Sequence, residues 1–191
     1  MNTSPLETVA RNHGAVMAER QGRRVPAHFG SAAAEETVCV RGVGMSDRFD
    51  RDTLEVRGNP DDVEQALIAL GELAWYSFLA PDRAITRTEN AEGCISALRD
   101  LPVTVHERTS AYAAIGLIGP RAHELLETVD LQPAGLIVQE APDCYEILLP
   151  ATHGPELWNY LLEAGAPYEL ACVGHDALDR LAASHRLGYW V

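Results

Sequence analysis

Cations are scarce in this chain: fifteen Lys plus Arg stand against 28 Asp plus Glu, giving a formal charge of −13 and a pI near 4.8. Nucleic-acid binding relies on clustered Lys and Arg against phosphate, so the composition argues against a nucleic-acid partner. The one local concentration, Arg20 to Arg24, reads as a solvated loop. Cysteine is equally sparse. Cys39, Cys94, Cys144 and Cys172 lie far apart with no C-x-x-C pair, which excludes a zinc knuckle or dithiol motif and leaves buried free thiols. The N-terminus Met1-Asn2-Thr3-Ser4-Pro5 has no charged segment followed by an apolar one, and no apolar run reaches the roughly 20 residues that span a bilayer. The expectation is a cytoplasmic protein with no membrane partner. With 47% hydrophobic and 23% charged residues over 191 positions, the chain can bury a core of its own.

What is present is organised around Tyr112 to Thr128. An apolar run of strand length ends at Gly119, Pro120 occupies a position that tolerates a missing N–H, and Leu125 and Leu126 begin an amphipathic helix. The same construction occurs earlier, where Leu54 to Gly58 leads through Asn59 and Pro60 into a helix carrying Val63, Ala66, Leu67 and Leu70. After the first copy come an aromatic strand from Trp75, Pro81, a loop and a helix with Ile95, Leu98 and Leu101. After the second come a strand from Cys144, Pro150, a loop and a helix with Leu157, Trp158, Leu161 and Leu162. The expectation is one α+β domain over 1–191 with an internal pseudo-repeat, about 53–101 and 103–165. Its strands form antiparallel or mixed sheets with the helices packed on one face.

Outside the repeat, Ser4-Pro5 opens a helix whose face holds Leu6, Val9, Ala10, His13 and Met17. Gln21 to Ser31 reads as a crossing loop, Ala32 to Glu36 as the start of a helical turn, and Thr37 to Val40 as a strand before the polar run Ser46 to Asp52. Thr104 to Ser110 is either a strand edge or a site-lining loop, and Leu136 to Val138 is a short strand. A final helix carries Ala177, Leu178, Leu181 and Ala182, with Asp176 or Gly174 as its cap and His185 near its end. Tyr189-Trp190-Val191 is an apolar terminus suited to an interface. Trp75, Trp158 and Trp190 are packing anchors.

Among polar groups, His106-Glu107-Arg108 places a titratable base beside charges of both signs, next to the organising strand. Alternation sends neighbouring members to opposite faces. Glu146 shares a face with Leu148, opposite Tyr145, Ile147 and Leu149, and is expected to be solvated on the open face. Glu124 favours the first turn of its helix.

In their order, these residues resemble the aminomethyltransferase (glycine cleavage T-protein) family. The matching pieces include Phe29-Gly30-Ser31, Ser46-Asp47, Val56-Arg57-Gly58-Asn59-Pro60-Asp61, Ile118-Gly119-Pro120-Arg121-Ala122, Tyr145-Glu146-Ile147 and Gly174-His175-Asp176. The resemblance implies a folate-shaped cavity between the two halves and tetrahydrofolate as the cofactor. The family's third, barrel domain has no counterpart before Val191. The aspartate that assists one-carbon transfer has no position to occupy between Asp61 and Trp75. Glu140 or Asp143 stands where the family's pterin-holding glutamate falls. His175 stands near a family arginine, and an imidazole is a weaker, pH-dependent cation. The candidate cofactor-binding residues are Arg108, Glu140, Asp143 and Tyr145; the candidate catalytic residues are His106, Glu107 and His175. Three readings stay open. One is a small-molecule-binding transferase of one-carbon metabolism. Another is a non-catalytic subunit of a homo- or hetero-oligomer, similar to the gamma subunit of sarcosine oxidases. The third is a folate-independent biosynthetic enzyme using His and Glu as acid and base.

Overall fold

A computed structural model of the chain describes residues 2–131 and 135–184. Two compact units divide it, one of Met1–Phe49 with Tyr112–Val191 and the other of Asp50–Ala111. The first segment runs β1 (Asn2–Thr3), α1 (Glu7–Asn12), β2 (Val16–Arg20), β3 (Arg23–His28), α2 (Ala32–Arg41) and β4 (Val43–Asp47). The inserted unit follows with β5 (Asp52–Arg57), α3 (Pro60–Leu70), β6 (Trp75–Ala80), β7 (Arg83–Thr88), α4 (Ala91–Leu98) and β8 (Thr104–Glu107). The chain closes with β9 (Tyr112–Ile118), α5 (Ala122–Thr128), β10 (Leu136–Ala141), β11 (Cys144–Pro150), α6 (Gly154–Ala164), β12 (Leu170–Cys172) and α7 (His175–Ala183). The fold is α+β, with antiparallel and mixed sheets. Among the described residues no helix is long and apolar enough to cross a membrane.

The unit 50–111 is a split β-α-β arrangement with strand order β6-β7-β5-β8, every pairing antiparallel. Leu54 and Val56 alternate onto the face covered by α3 and α4, where they pack with Val63, Ala66, Leu67, Leu70, Cys94 and Leu98. Pro60 starts α3 where its missing N–H costs nothing, and Gly71, at φ +51°, ends it. The Asn90 side chain accepts from the Gly93 N–H at 2.9 Å and caps α4.

In the other unit a five-stranded sheet runs β10-β11-β9-β4-β12, with β12 parallel to β4, and a smaller sheet pairs β1 and β2 with β3. Met45, Ile115, Leu117, Ile147 and Leu149 form one face, against Leu6, Leu125, Trp158 and Leu161. On the opposite face Ile118 and Cys144 pack with Cys39, Val173, Leu178 and Leu181. Helices therefore lie on both faces here, rather than on one. The four cysteines are free. Burial pushes the Cys39 thiol up to about 12, with Cys144 acting in the same direction, and burial also raises Cys172 to about 12. Neither is a thiolate at neutral pH.

Several local expectations change. The first helix stops at Asn12, because Gly14 turns the chain at φ +90°, and Met17 belongs to β2. The crossing loop contains β3, paired with β2 along a hairpin turned by Gln21 and Gly22 at positive φ. Thr37 to Val40 is helical within α2, not a strand. The helix formers Ala32 to Glu36 lead into it and Cys39 is fully buried, so packing overrides β-propensity. The loop after Pro81 is the strand β7. Gly174 is the N-cap of α7, whereas His185, Trp190 and the terminus 189–191 lie outside the described residues.

Candidate functional site

Alternation along β4, β9 and β11 puts Ser46, Gly116 and Glu146 in one row across the sheet, on the face away from Met45, Ile115 and Ile147. Gly116 is what makes room there. A Cβ on it would stand 2.8 Å from Ser46 Oγ, 3.1 Å from Arg48 Cγ and 3.2 Å from Arg48 Cδ, so the Arg48 stem lies across the glycine. The Arg48 N–H donates to the Ala114 carbonyl at 2.9 Å, which fixes the backbone from which that stem departs. Arg48 is 1% exposed and Glu146 0% exposed. The guanidinium Nη1 is 3.9 Å from Glu140 Oε2. Glu146 is thus buried instead of solvated, since the arginine crossing its ladder partner removes that face from water. Ser46 is fully buried, and its Oγ has no hydrogen-bond partner among the described residues. A guanidinium, two carboxylates and a hydroxyl are thus held away from water on this face of the sheet.

The end of β4 is held from α7. His175 is buried, with Nε2 3.0 Å from the Asp47 carbonyl oxygen, and the Phe49 N–H donates to Asp47 Oδ1 at 3.1 Å. The Glu35 carboxylate accepts the Phe29 and Gly174 N–H groups, both at 2.8 Å, tying β3 to the start of α7. The His175 and Phe49 contacts to Asp47 place the residues flanking Arg48.

Of the sequence candidates in this unit, Glu140 reaches the cluster. Tyr145 does not: it lies on the other face of β11, its ring stacked on His123 at 6.1 Å and its hydroxyl 3.2 Å from Gln139 Nε2. Burial, then the nearby Asp143, hold its phenol above its ordinary range. Asp143 is exposed in the β10–β11 turn at φ +62°, and its carbonyl accepts the Gly119 N–H at 2.8 Å.

His106, Glu107 and Arg108 belong to the other unit. His106 is exposed, opposite Glu55 in the β5–β8 ladder, and Glu107 accepts the Thr109 N–H at 2.7 Å as a local turn cap. Arg108 donates through Nε to Glu55 Oε2 at 3.1 Å. Glu55 itself was not legible as a site residue. It is 3% exposed and also takes Arg57 Nη2 on Oε1 at 2.9 Å, with Arg83 Nε 3.7 Å from the same oxygen. Burial works to raise the Glu55 pKa, but the hydrogen bonds and charges of Arg57 and Arg108 outweigh it, and the carboxyl titrates below its ordinary value. A depressed carboxylate contributes stability that is present above its unfolded pKa of about 4.3 and lost as pH falls through the folded value. Glu55→Gln is therefore expected to cost about 1–2 kcal/mol at pH 7. It should also flatten the acid limb, giving urea midpoints at pH 7 and pH 3 that differ less than in the wild type. An equally steep limb in the variant would show that Glu55 does not carry it.

No protein-family model matches the chain, and no curated protein matches it by sequence. Solved structures do. The glycine cleavage system aminomethyltransferase T from Bartonella henselae matches the whole chain with a TM-score of 0.74 at 18% identity, and the match covers 63% of that protein. A chain of the heterotetrameric sarcosine oxidase from Corynebacterium sp. U-96, in complex with pyrrole 2-carboxylate, matches 75% of this chain over 95% of its own length. That TM-score is 0.55, at 20% identity. The chain has the T-protein-like fold and spans just under two thirds of the length of the aminomethyltransferase.

Proposed function

We propose that the chain binds a small molecule of the tetrahydrofolate type at the Ser46–Arg48–Glu140–Glu146 cluster, as an aminomethyltransferase-like protein of one-carbon metabolism. The observation that carries this reading is the buried row Ser46–Gly116–Glu146, over which the Arg48 stem passes to within 3.9 Å of Glu140, and in which the Ser46 hydroxyl takes no hydrogen bond among the described residues. The fit to a pterin is one of donor type. Its pyrimidine edge offers an amino group and a ring N–H side by side, and Glu140 and Glu146 offer paired acceptor oxygens. Arg48 and Ser46 supply donors for a ring carbonyl. Bound tetrahydrofolate carries a one-carbon unit on its nitrogens. The chain's own residues bind and orient it, and His175 acts as a positioning residue by holding the Asp47 carbonyl between Ser46 and Arg48. The fold shared with an aminomethyltransferase supports the same class.

Calorimetric titration of the full chain with tetrahydrofolate tests this. Saturable heat is expected, weakened about tenfold or more in Glu146→Gln, the loss of one charge-assisted contact. No heat and no thermal shift at millimolar ligand would sink the reading. A second reading, a subunit of a larger enzyme, is favoured by the 95% coverage of the sarcosine oxidase chain. Recovery in a stoichiometric complex from its native source is its check.

A further inference from the structure

The outermost strands of a sheet present a row of N–H and C=O groups to whatever lies beyond it, and folded chains blunt such edges with charge, proline or brevity. Six strands hold those positions among the described residues: β1 and β2, β6 and β8, β10 and β12. β1 and β12 have two and three residues. β2 carries Glu19 and Arg20, β8 carries His106 and Glu107, and β10 carries Glu140. β6, Trp75-Tyr76-Ser77-Phe78-Leu79-Ala80, carries neither charge nor proline. Tyr76 and Phe78 stand in register with Thr86 and Ala84, on the side of the sheet that α3 and α4 cover. They are nonetheless 44% and 47% exposed, with their rings edge to face at 6.1 Å.

We propose that β6 pairs antiparallel with β6 of a second copy about a two-fold axis at Ser77, joining two four-stranded sheets into one. That register sets Ser77 opposite the partner's Ser77. It also sets Tyr76 opposite the partner's Phe78, twice, so the exposed rings of both copies meet on the helix-covered side as aromatic cross-strand pairs. Regular pairing of β6 with β7 runs as far as Phe78, where a bulge interrupts it, and the stretch used lies before that bulge. Charge selects the occupant. A chain of net −13 repels its own copy, and β6 is the edge of more than three residues at which two copies form a ladder with no charged side chain in it. The same strand offers nothing ionic to hold a basic partner. Glu72 and Asp82 bracket β6 outside the ladder, with Glu72 falling toward the partner's Asp82, so added salt strengthens the dimer by screening them. Pairing over so few residues stays below the roughly 1,200 Å² of a standard interface, and the dimer dissociates in the micromolar range.

Sedimentation equilibrium of the full chain tests the proposal. The expected result is a dimer that falls apart on dilution through the micromolar range and is tighter at high salt than at low salt. Phe78→Lys and Tyr76→Lys put a charge into the ladder at positions already exposed. Each should weaken association about tenfold or more while leaving the far-UV circular dichroism unchanged. Ser77→Cys, mildly oxidised, should give a disulfide-linked dimer, because directly opposite residues bring their Cβ atoms to about 4.5–5.5 Å. Thr104→Cys, on the opposite edge β8, and the wild type with its free cysteines are the controls. If a lysine variant fails to fold, the Ser77→Cys cross-link carries the test. The proposal is overturned by a wild-type chain that stays monomeric at about 100 µM, by a dimer that survives both lysine substitutions, by a dimer weakened at high salt, or by no more cross-linking at Ser77 than in the controls. A monomer that holds a different protein through β6, released by Phe78→Lys, equally overturns the second copy as occupant.

Discussion

Gly119→Ala is expected to destabilise the chain by about 3 kcal/mol or more, a large fraction of the roughly 5–15 kcal/mol that holds an ordinary domain folded. Two separate causes add. Gly119 adopts φ +136°, a region where an L side chain is strained at a cost of roughly 1–3 kcal/mol. A Cβ there would also collide with the Gly42 carbonyl oxygen and stand 2.7 Å from that of Cys39. Those are backbone atoms at the end of α2 and cannot turn aside as a side chain can. Gly22 is the internal control: its φ is +75°, but open space surrounds it, so Gly22→Ala bears strain alone. Urea unfolding of both variants should separate them by more than about 1 kcal/mol. Equal losses would mean that the α2 carbonyls yield.

Arg48→Met carries the second large effect, an expected loss of about 3–5 kcal/mol. Methionine fills much of the arginine stem over Gly116 but removes the cation. The carboxylate of Glu140, whose side chain is 11% exposed, then stays in place without that partner. Glu140→Gln added to Arg48→Met should restore part of the loss, because a neutral amide needs no counter-ion. The double-mutant cycle measures the coupling directly. Additive losses would assign the Arg48 effect to packing.

Tyr112 to Thr128 was legible because its signals are local: an apolar run, a Gly-Pro turn and a helical period, realised as β9 and α5. The start of α3 at Pro60 was legible for the same reason. The strand β7 was not, since Arg83-Ala84-Ile85-Thr86-Arg87-Thr88 interleaves cations with its apolar positions and resembles a loop until its partners β5 and β6 are known. The helix α2 failed oppositely, with Val38 and Val40 signalling a strand where burial of Cys39 decided for a helix. Alternation assigned Glu146 to the correct face, yet it cannot report whether that face meets water. The resemblance brought Glu140 forward. Arg48 and the Arg83 and Arg108 contacts of Glu55 stayed hidden because those partners come from distant segments, and no spacing rule anticipates a cross-sheet meeting.

The sheet order β10-β11-β9-β4-β12 has a consequence for the chain as it is synthesised. Strand β4 leaves the ribosome before residues 50–111, but both of its neighbours, β9 and β12, leave after them. The inserted unit can close its own sheet while β4 still has two open edges, exposed for the time translation takes to cross the insertion, at roughly 5–20 residues per second. Sheet completion then waits for Leu170–Cys172, near the end of the described chain. The N-terminal segment is therefore the part most dependent on delayed long-range closure, and the stretch in which a nascent chain most needs protection from edge-to-edge association.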